Sequence, residues 1–361
     1  MELFDHLAGE YEQVVWCHHP PTGLRAIVAI HSTALGPSLG GTRYYPYATE
    51  EDALVDVLRL AKGMTYKSAL AGLDLGGGKA VIIGDPQTAK TEALLRAYGR
   101  FVDSLGGRYL TAEDVGTTQA DMDIIRRETP CVTGVSRYLG GSGDPSDATA
   151  HGVWWAMRAV AAHLEGSADH EGDLSGYHVV VVGVGKVGSL LCRLLVQSGA
   201  KVTVSDVNPA AVERVVAETG AAAVGTGEAY ATECDFLAPC ALGGTLNDAS
   251  VPALRCRAVV GAANNQLAHP DVALKLTERG IVYAPDFVVN AGGVIDIADG
   301  LTGYHPDRAE AAVRRVGATT LAVLARAAEQ GTTTVAAAEA LAEQRIAAVS
   351  GVARIRTYPR S

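Results

Sequence analysis

The sequence predicts an α/β protein of two domains, one of them a parallel sheet with helices on both faces. Three observations carry that expectation. From residue 178 onward, short apolar runs alternate with helical segments, as a parallel sheet requires. Residues 179–206 run strand, glycine-rich turn, helix, strand and terminal acid. The 361 residues, 48% of them hydrophobic, suffice for two domains, each with its own core.

The elements follow in order. Residues 24–33, LRAIVAIHST, read as a strand. Residues 49–63 read as a helix with Thr49 as N-cap and Asp52 at the third helical position, where an acid is favourable. Leu54, Val57, Leu58 and Ala61 fall on its apolar face. A helix over 90–104 has Leu94, Leu95, Tyr98 and Phe101 as its stripe. The segment 139–147, LGGSGDPSD, reads as a loop and inter-domain hinge. A helix over 148–164 and a polar loop over 165–177 precede the alternating segments 178–183, 186–199, 201–206, 209–219, 233–238, 257–261 and 280–284. From 307 to 348 the chain is Ala-rich and helical.

Composition narrows the function. A net charge of -10 and the lack of a basic tract disfavour nucleic acid or an anionic membrane as partner. The opening Met1-Glu2-Leu3-Phe4-Asp5 lacks the basic region and apolar run of a signal peptide, and no stretch approaches the roughly 20 apolar residues of a membrane span. The six cysteines form no CxxC pair, which fits reduced thiols in a cytoplasmic protein.

The run His178-Val179-Val180-Val181-Val182 leads into Gly183-Val184-Gly185-Lys186-Val187-Gly188. Gly183 permits a tight turn, Gly185 lets backbone approach a pyrophosphate, and Gly188 lets helix and strand pack closely. The helix N-terminus presents free N–H groups to the phosphates. A second strand ends at Asp206, at about the spacing of an acid that binds the ribose hydroxyls. A carboxylate there, with no Arg nearby, favours NAD over NADP.

With the cofactor turn in mid-chain, the first ~140 residues are the place to seek chemistry. They hold Gly40-Gly41-Thr42-Arg43, Lys67, Gly76-Gly77-Gly78-Lys79 and Glu113-Asp114-Val115-Gly116. Lys79, at a glycine turn entering an apolar strand, has two readings. One is a partly desolvated lysine, its pKa lowered by burial and a neighbouring lysine as a general base needs; the other is an exposed turn lysine. A phosphate-binding P-loop is excluded, since Leu73 stands where its first glycine belongs and Ala80 where it needs Ser or Thr. Asp114 ends a strand, Arg108–Ala112, ahead of a helix from about Thr118, and an N-cap role would account for it structurally.

Taken together, LGPSLGGTR (35–43), MTYKSALAGLDLGGGKAVI (64–82), TAEDVGTTQADMD (111–123), GVGKVG (183–188), APCALGG (238–244), GAANNQL (261–267) and YAPDFVVNAGGVI (283–295) resemble the Glu/Leu/Phe/Val dehydrogenases. Within that family the chain looks most like the branched-chain enzymes. The resemblance implies a substrate-binding and oligomerisation domain of residues 1–140 plus 325–361, an α/β domain completed by C-terminal helices. It implies a Rossmann-type NAD domain over 141–324, with reaction in the cleft between the two. Lys67 would hold the substrate carboxylate, Lys79 would activate water to attack an imine, and Asp114 would shuttle protons to and from the substrate nitrogen. Gly40, Gly41 and Gly77 would bring backbone close to the substrate. Asn264 and Asn290 would contact nicotinamide or substrate, and Thr149 the carboxamide. No metal is needed. The reaction would convert an L-amino acid, NAD and water to a 2-oxo acid, ammonium and NADH, in a homo-oligomer.

The family pattern places the side-chain pocket at Leu39, Ala112, Val294 and Ile297, all apolar here. Glutamate would bury an unpaired carboxylate among them, which is costly. Branched Leu39 and Val294 shorten the pocket, so valine, leucine and isoleucine are expected, with phenylalanine or tryptophan as the alternative. A 2-hydroxy-acid dehydrogenase would need a His–acid relay, and none of the ten histidines, from His6 to His305, lies in a motif suggesting one. A non-catalytic NAD-binding regulator is the remaining reading.

Overall fold

A computed structural model describes residues 11–167 and 169–351. His6 and the opening Met1–Asp5 lie outside the described residues. The chain divides into two compact units. The first comprises residues 1–144, 297–306 and 342–361, and the second 145–296 and 307–341.

The first unit is built on a five-stranded sheet of β1 (Gln13–His19), β2 (Leu24–Ser32), β3 (Ser38–Tyr45), β4 (Gly76–Ile83) and β5 (Tyr109–Glu113), in the order β1-β2-β4-β3-β5. β3 runs parallel to β4 and β5, and β2 antiparallel to β1 and β4. Helices cover both faces, which explains the near-continuous apolar run of β2. On one face Ile27, Ala29 and Val81 pack against Ala53, Leu54, Val57, Leu58 and Ala61 of the helix Glu50–Leu70. On the other, Val28, Ile30, Ala80 and Ile82 meet Leu94, Leu95, Tyr98 and Val102 of the helix Glu92–Ser104.

Local chemistry sets several boundaries. Thr49 accepts from the Asp52 backbone N–H while the Asp52 carboxylate accepts from that of Thr49, a capping box at the expected helix start. The helix continues past 63 to Leu70: a single Gly63 costs about 1 kcal/mol against Ala but does not break the ladder. Lys67 therefore lies in its last turn. Thr118, not Asp114, caps the helix Gln119–Ile125. The Ala-rich C-terminal region is two helices, Pro306–Gln330 and Thr334–Ser350, separated at Gly331, whose φ of 62° suits glycine.

The glycines of the first unit correct the sequence expectation. Gly40-Gly41 and Gly76–Gly78 are not turns; they lie within β3 and β4. A Cβ on Gly40 would sit 1.7 Å from the Gly78 carbonyl oxygen, and one on Gly77 would sit 2.1 Å from the Thr65 backbone nitrogen. Glycine is required because strand meets strand and helix meets strand at these points.

The second unit is a wholly parallel six-stranded sheet, ordered β11-β10-β9-β6-β7-β8. Its strands are β6 (His178–Val182), β7 (Lys201–Ser205), β8 (Ala222–Ala223), β9 (Phe236–Pro239), β10 (Ala258–Val259) and β11 (Val282–Tyr283). The chain order reverses between β6 and β9, and the crevice at such a switch point is where doubly wound sheets bind ligands. The helices Ser146–Leu164, Lys186–Gln197, Pro209–Thr219 and Asp271–Glu278 belong to this unit. All six cysteines are free, with Cys17 and Cys192 buried. Among the described residues no helix is long and apolar enough to cross a membrane.

Candidate active site

In the second unit β6 leads into the glycine turn at its carboxyl end. Gly183 has φ 99°, and a Cβ there would meet the Ala241 nitrogen at 2.7 Å. A Cβ on Gly188 would lie 1.9 Å from the Gly183 carbonyl oxygen, so this glycine lets the helix Lys186–Gln197 pack against the turn. Gly185 differs: a Cβ there would have no protein atom within 4 Å. It and Lys186 are exposed, Val187 is half-buried, and Val184 is buried. The exposed cradle at the helix N-terminus has the room and the N–H groups that a pyrophosphate needs.

Asp206 follows β7 beside this turn. One carboxylate oxygen accepts from the Val184 N–H at 2.7 Å and the other from the Asn208 N–H at 2.8 Å. These bonds fix the carboxylate and leave lone pairs on both oxygens for ribose hydroxyls.

Three further predicted residues also lie in the second unit. Asn290 donates to the side-chain oxygen of Asn264 at 2.8 Å and to the Ala262 carbonyl at 3.1 Å. Its own side-chain oxygen is buried with no protein partner, an unmet acceptor of the kind a carboxamide or ammonium would fill. Thr149, in the first turn of Ser146–Leu164, donates to the Pro145 carbonyl at 2.9 Å and packs where a Cβ on Gly293 would stand. The glycine cradle, the fixed acid and the orphaned oxygen all fit a nicotinamide dinucleotide.

In the first unit, strand register puts most of the predicted sheet residues on one face. Leu39 pairs with Gly77 and Leu110, Gly41 pairs with Ala112, and Arg43 pairs with Val81. Alternation therefore sets Leu39, Gly41, Arg43, Gly77, Lys79 and Ala112 on the face that carries the helix Glu50–Leu70. Gly40 points to the opposite face. The end of that helix, where Lys67 is half-buried, rests on β4 through the Thr65–Gly77 approach.

Lys79 is only 5% exposed, which decides against the exposed-turn reading. Its ammonium is ion-paired with Asp114. Asp114 also accepts from Arg43 Nε at 3.2 Å and from the Val115 N–H at 2.7 Å. Burial alone would push this carboxyl up; the Lys79 and Arg43 charges and the hydrogen bonds outweigh it and hold Asp114 at about 2.

Two partners were not evident in the sequence. Arg43 Nη1 donates to Asp56 at 2.8 Å, and Asp56 also accepts from Tyr47 at 2.6 Å and Arg59 at 2.9 Å. Asp56 lies within the helix Glu50–Leu70, off the apolar stripe; its polarity was visible but its partner was not. The pocket positions Leu39 and Ala112 are buried in the first unit, which also holds Ile297, whose carbonyl accepts from Thr133. Val294, also buried, belongs to the second unit.

A doubly wound sheet with a dinucleotide cradle, together with a separate unit presenting a buried lysine ion-paired to a half-buried carboxylate, defines a two-domain dehydrogenase. The chain belongs to the Glu/Leu/Phe/Val dehydrogenase family. The model for the Glu/Leu/Phe/Val dehydrogenase dimerisation domain matches residues 11–130. That for Glutamate/Leucine/Phenylalanine/Valine dehydrogenase matches residues 140–215 and 209–353. The chain is 52% identical to the leucine dehydrogenase of Geobacillus stearothermophilus over 347 residues, 96% of this chain and 94% of that one. It is 55% identical to the valine dehydrogenase of Streptomyces virginiae, covering 95% of this chain and 96% of that one. Among solved structures, L-tryptophan dehydrogenase from Nostoc punctiforme superposes with a TM-score of 0.85 at 42% identity, covering 96% of this chain and 99% of that one.

Proposed function

We propose that the protein catalyses the NAD-dependent, reversible oxidative deamination of valine, leucine or isoleucine to the 2-oxo acid, ammonium and NADH. The observation that carries this reading is the ion pair of buried Lys79 with half-buried Asp114, on the same sheet face as apolar Leu39 and Ala112. Similarity to leucine and valine dehydrogenases over nearly the whole chain supports it.

In this reading Lys67 holds the substrate carboxylate by a charge-assisted contact. Asp114 starts as an anion and therefore receives a proton from the substrate ammonium. Bound NAD supplies the hydride acceptor. Lys79 takes a proton from the water that adds to the imine carbon, Asp114 returns its proton to the nitrogen, and the carbinolamine then loses ammonia to give the 2-oxo acid. Gly183–Gly188, Asp206, Asn264, Asn290 and Thr149 hold the dinucleotide, and Leu39, Ala112, Val294 and Ile297 receive the side chain. The protein works as a cytoplasmic homo-oligomer assembled through its first unit, the part matched by the dimerisation-domain model.

The likeness to a tryptophan dehydrogenase favours a second reading, the same reaction on an aromatic amino acid. Steady-state kinetics of NADH formation across the L-amino acids at alkaline pH separate the two. The branched-chain reading expects kcat/KM for valine or leucine to exceed that for phenylalanine and tryptophan; the reverse order overturns it.

A further inference from the structure

Asp114 is shared by two cations of different character. Lys79 can lose its proton; Arg43 cannot, since a guanidinium stays charged throughout the working range. Arg43 is itself anchored from behind, through Asp56 at 2.8 Å, with Tyr47 and Arg59 closing on the same carboxylate at 2.6 and 2.9 Å. The side chains of Arg43, Asp56 and Asp114 are only 21%, 15% and 17% exposed, so solvent screens these charges weakly.

We propose that Arg43 is a positioning residue that sets the protonation of the Lys79–Asp114 couple, and that Asp56 anchors Arg43 and tempers its charge. The proposal rests on the deaminase reading above. A fixed cation beside the couple disfavours its extra proton, whichever partner carries it. The couple thus reaches its proton-accepting form at lower pH than without Arg43. Arg43 acts through Asp114 and touches neither substrate nor dinucleotide in this scheme. Its spacing also fixes rotation: Nε meets Asp114 while Nη1 meets Asp56, so one planar group bridges the strand end to the helix Glu50–Leu70. A lysine can keep the charge but not the two-sided bridge.

Arg43 from β3 is the charged group that contacts the couple, and Tyr47 from the loop after β3 and Asp56 and Arg59 from the helix gather on the far side of its guanidinium. Their signs make opposite predictions. Removing Arg43 deletes a positive charge and should move the acid limb of the kcat/KM profile to higher pH. Removing Asp56 deletes a negative one and should move it to lower pH. A purely structural role would lower activity without moving the limb in opposite directions.

The test is the pH dependence of leucine oxidation by the full-length protein. Arg43→Gln is expected to raise the acid limb by about one pH unit. Arg43→Lys should return it to within a few tenths of a unit of the wild-type position, with kcat/KM still reduced. Asp56→Asn should lower it. An unmoved limb in Arg43→Gln, or an upward shift in Asp56→Asn, overturns the proposal. If Arg43→Gln does not fold, the Asp56→Asn shift decides alone. A wild-type protein that oxidises no amino acid while binding NADH counts against the deaminase reading; an active wild type with unmoved limbs counts against Arg43 alone.

Discussion

Asn290 donates its amide to the side-chain oxygen of Asn264 at 2.8 Å, while its own oxygen is buried without a protein partner. An acceptor left unmet at that depth costs about 1–3 kcal/mol, which a bound ligand recovers by donating to it. Asn290→Leu keeps the volume and removes the acceptor. The NADH dissociation constant or the KM for leucine should rise about tenfold, the equivalent of ~1.4 kcal/mol. Fluorescence titration and steady-state kinetics read the two quantities, and no change in either removes Asn290 from the site.

Gly185 and Gly77 make a contrasting pair. A Cβ on Gly185 meets no protein atom, and its φ of -68° is open to any residue. Gly185→Ala should leave the melting temperature within about 1 °C of wild type yet weaken NADH binding at least ~10-fold, because in the proposed site the methyl would enter the space that the phosphate takes.

Gly77→Ala should instead destabilise the fold, since its Cβ would lie 2.1 Å from the Thr65 backbone nitrogen. Overpacking of this kind costs about 1–3 kcal/mol. Chemical denaturation measures it; a neutral Gly77→Ala contradicts the close approach of helix and β4.

Asp114 contributes to stability in a definite pH window. Its folded value of about 2 lies below the ordinary 3.8, so the contribution is fully present above pH 4 and is lost as pH falls through 2. The difference corresponds to about 2 kcal/mol. Urea unfolding of wild type and Asp114→Asn should show a gap that is widest near neutrality and narrows toward pH 2. A gap that widens on acidification contradicts the ion-pairing.

The fold of the second unit was legible because its signals are local. Strand, turn, helix and Asp206 follow one another in sequence, and each glycine acts within that run. The first unit was less so. Gly76–Gly78 look like a turn since glycine is depleted in strands, and the reason for them, the approach of Thr65 and of β3, exists only in the folded chain. Lys79 and Asp114 could be singled out, but their contact spans separate strands. Arg43 stood in plain view within LGGTR, yet nothing local joins it to Asp56, one helix away, or to Asp114, beyond β5.

In the proposed reaction Lys79, paired with Asp114, performs the water chemistry of deamination. Replacing Lys79 by Ala and measuring kcat for leucine at saturating NAD tests it most directly. The expected result is a loss of about 10²–10⁴-fold with NADH affinity unchanged. A variant that keeps most of its deaminating activity would contradict the account.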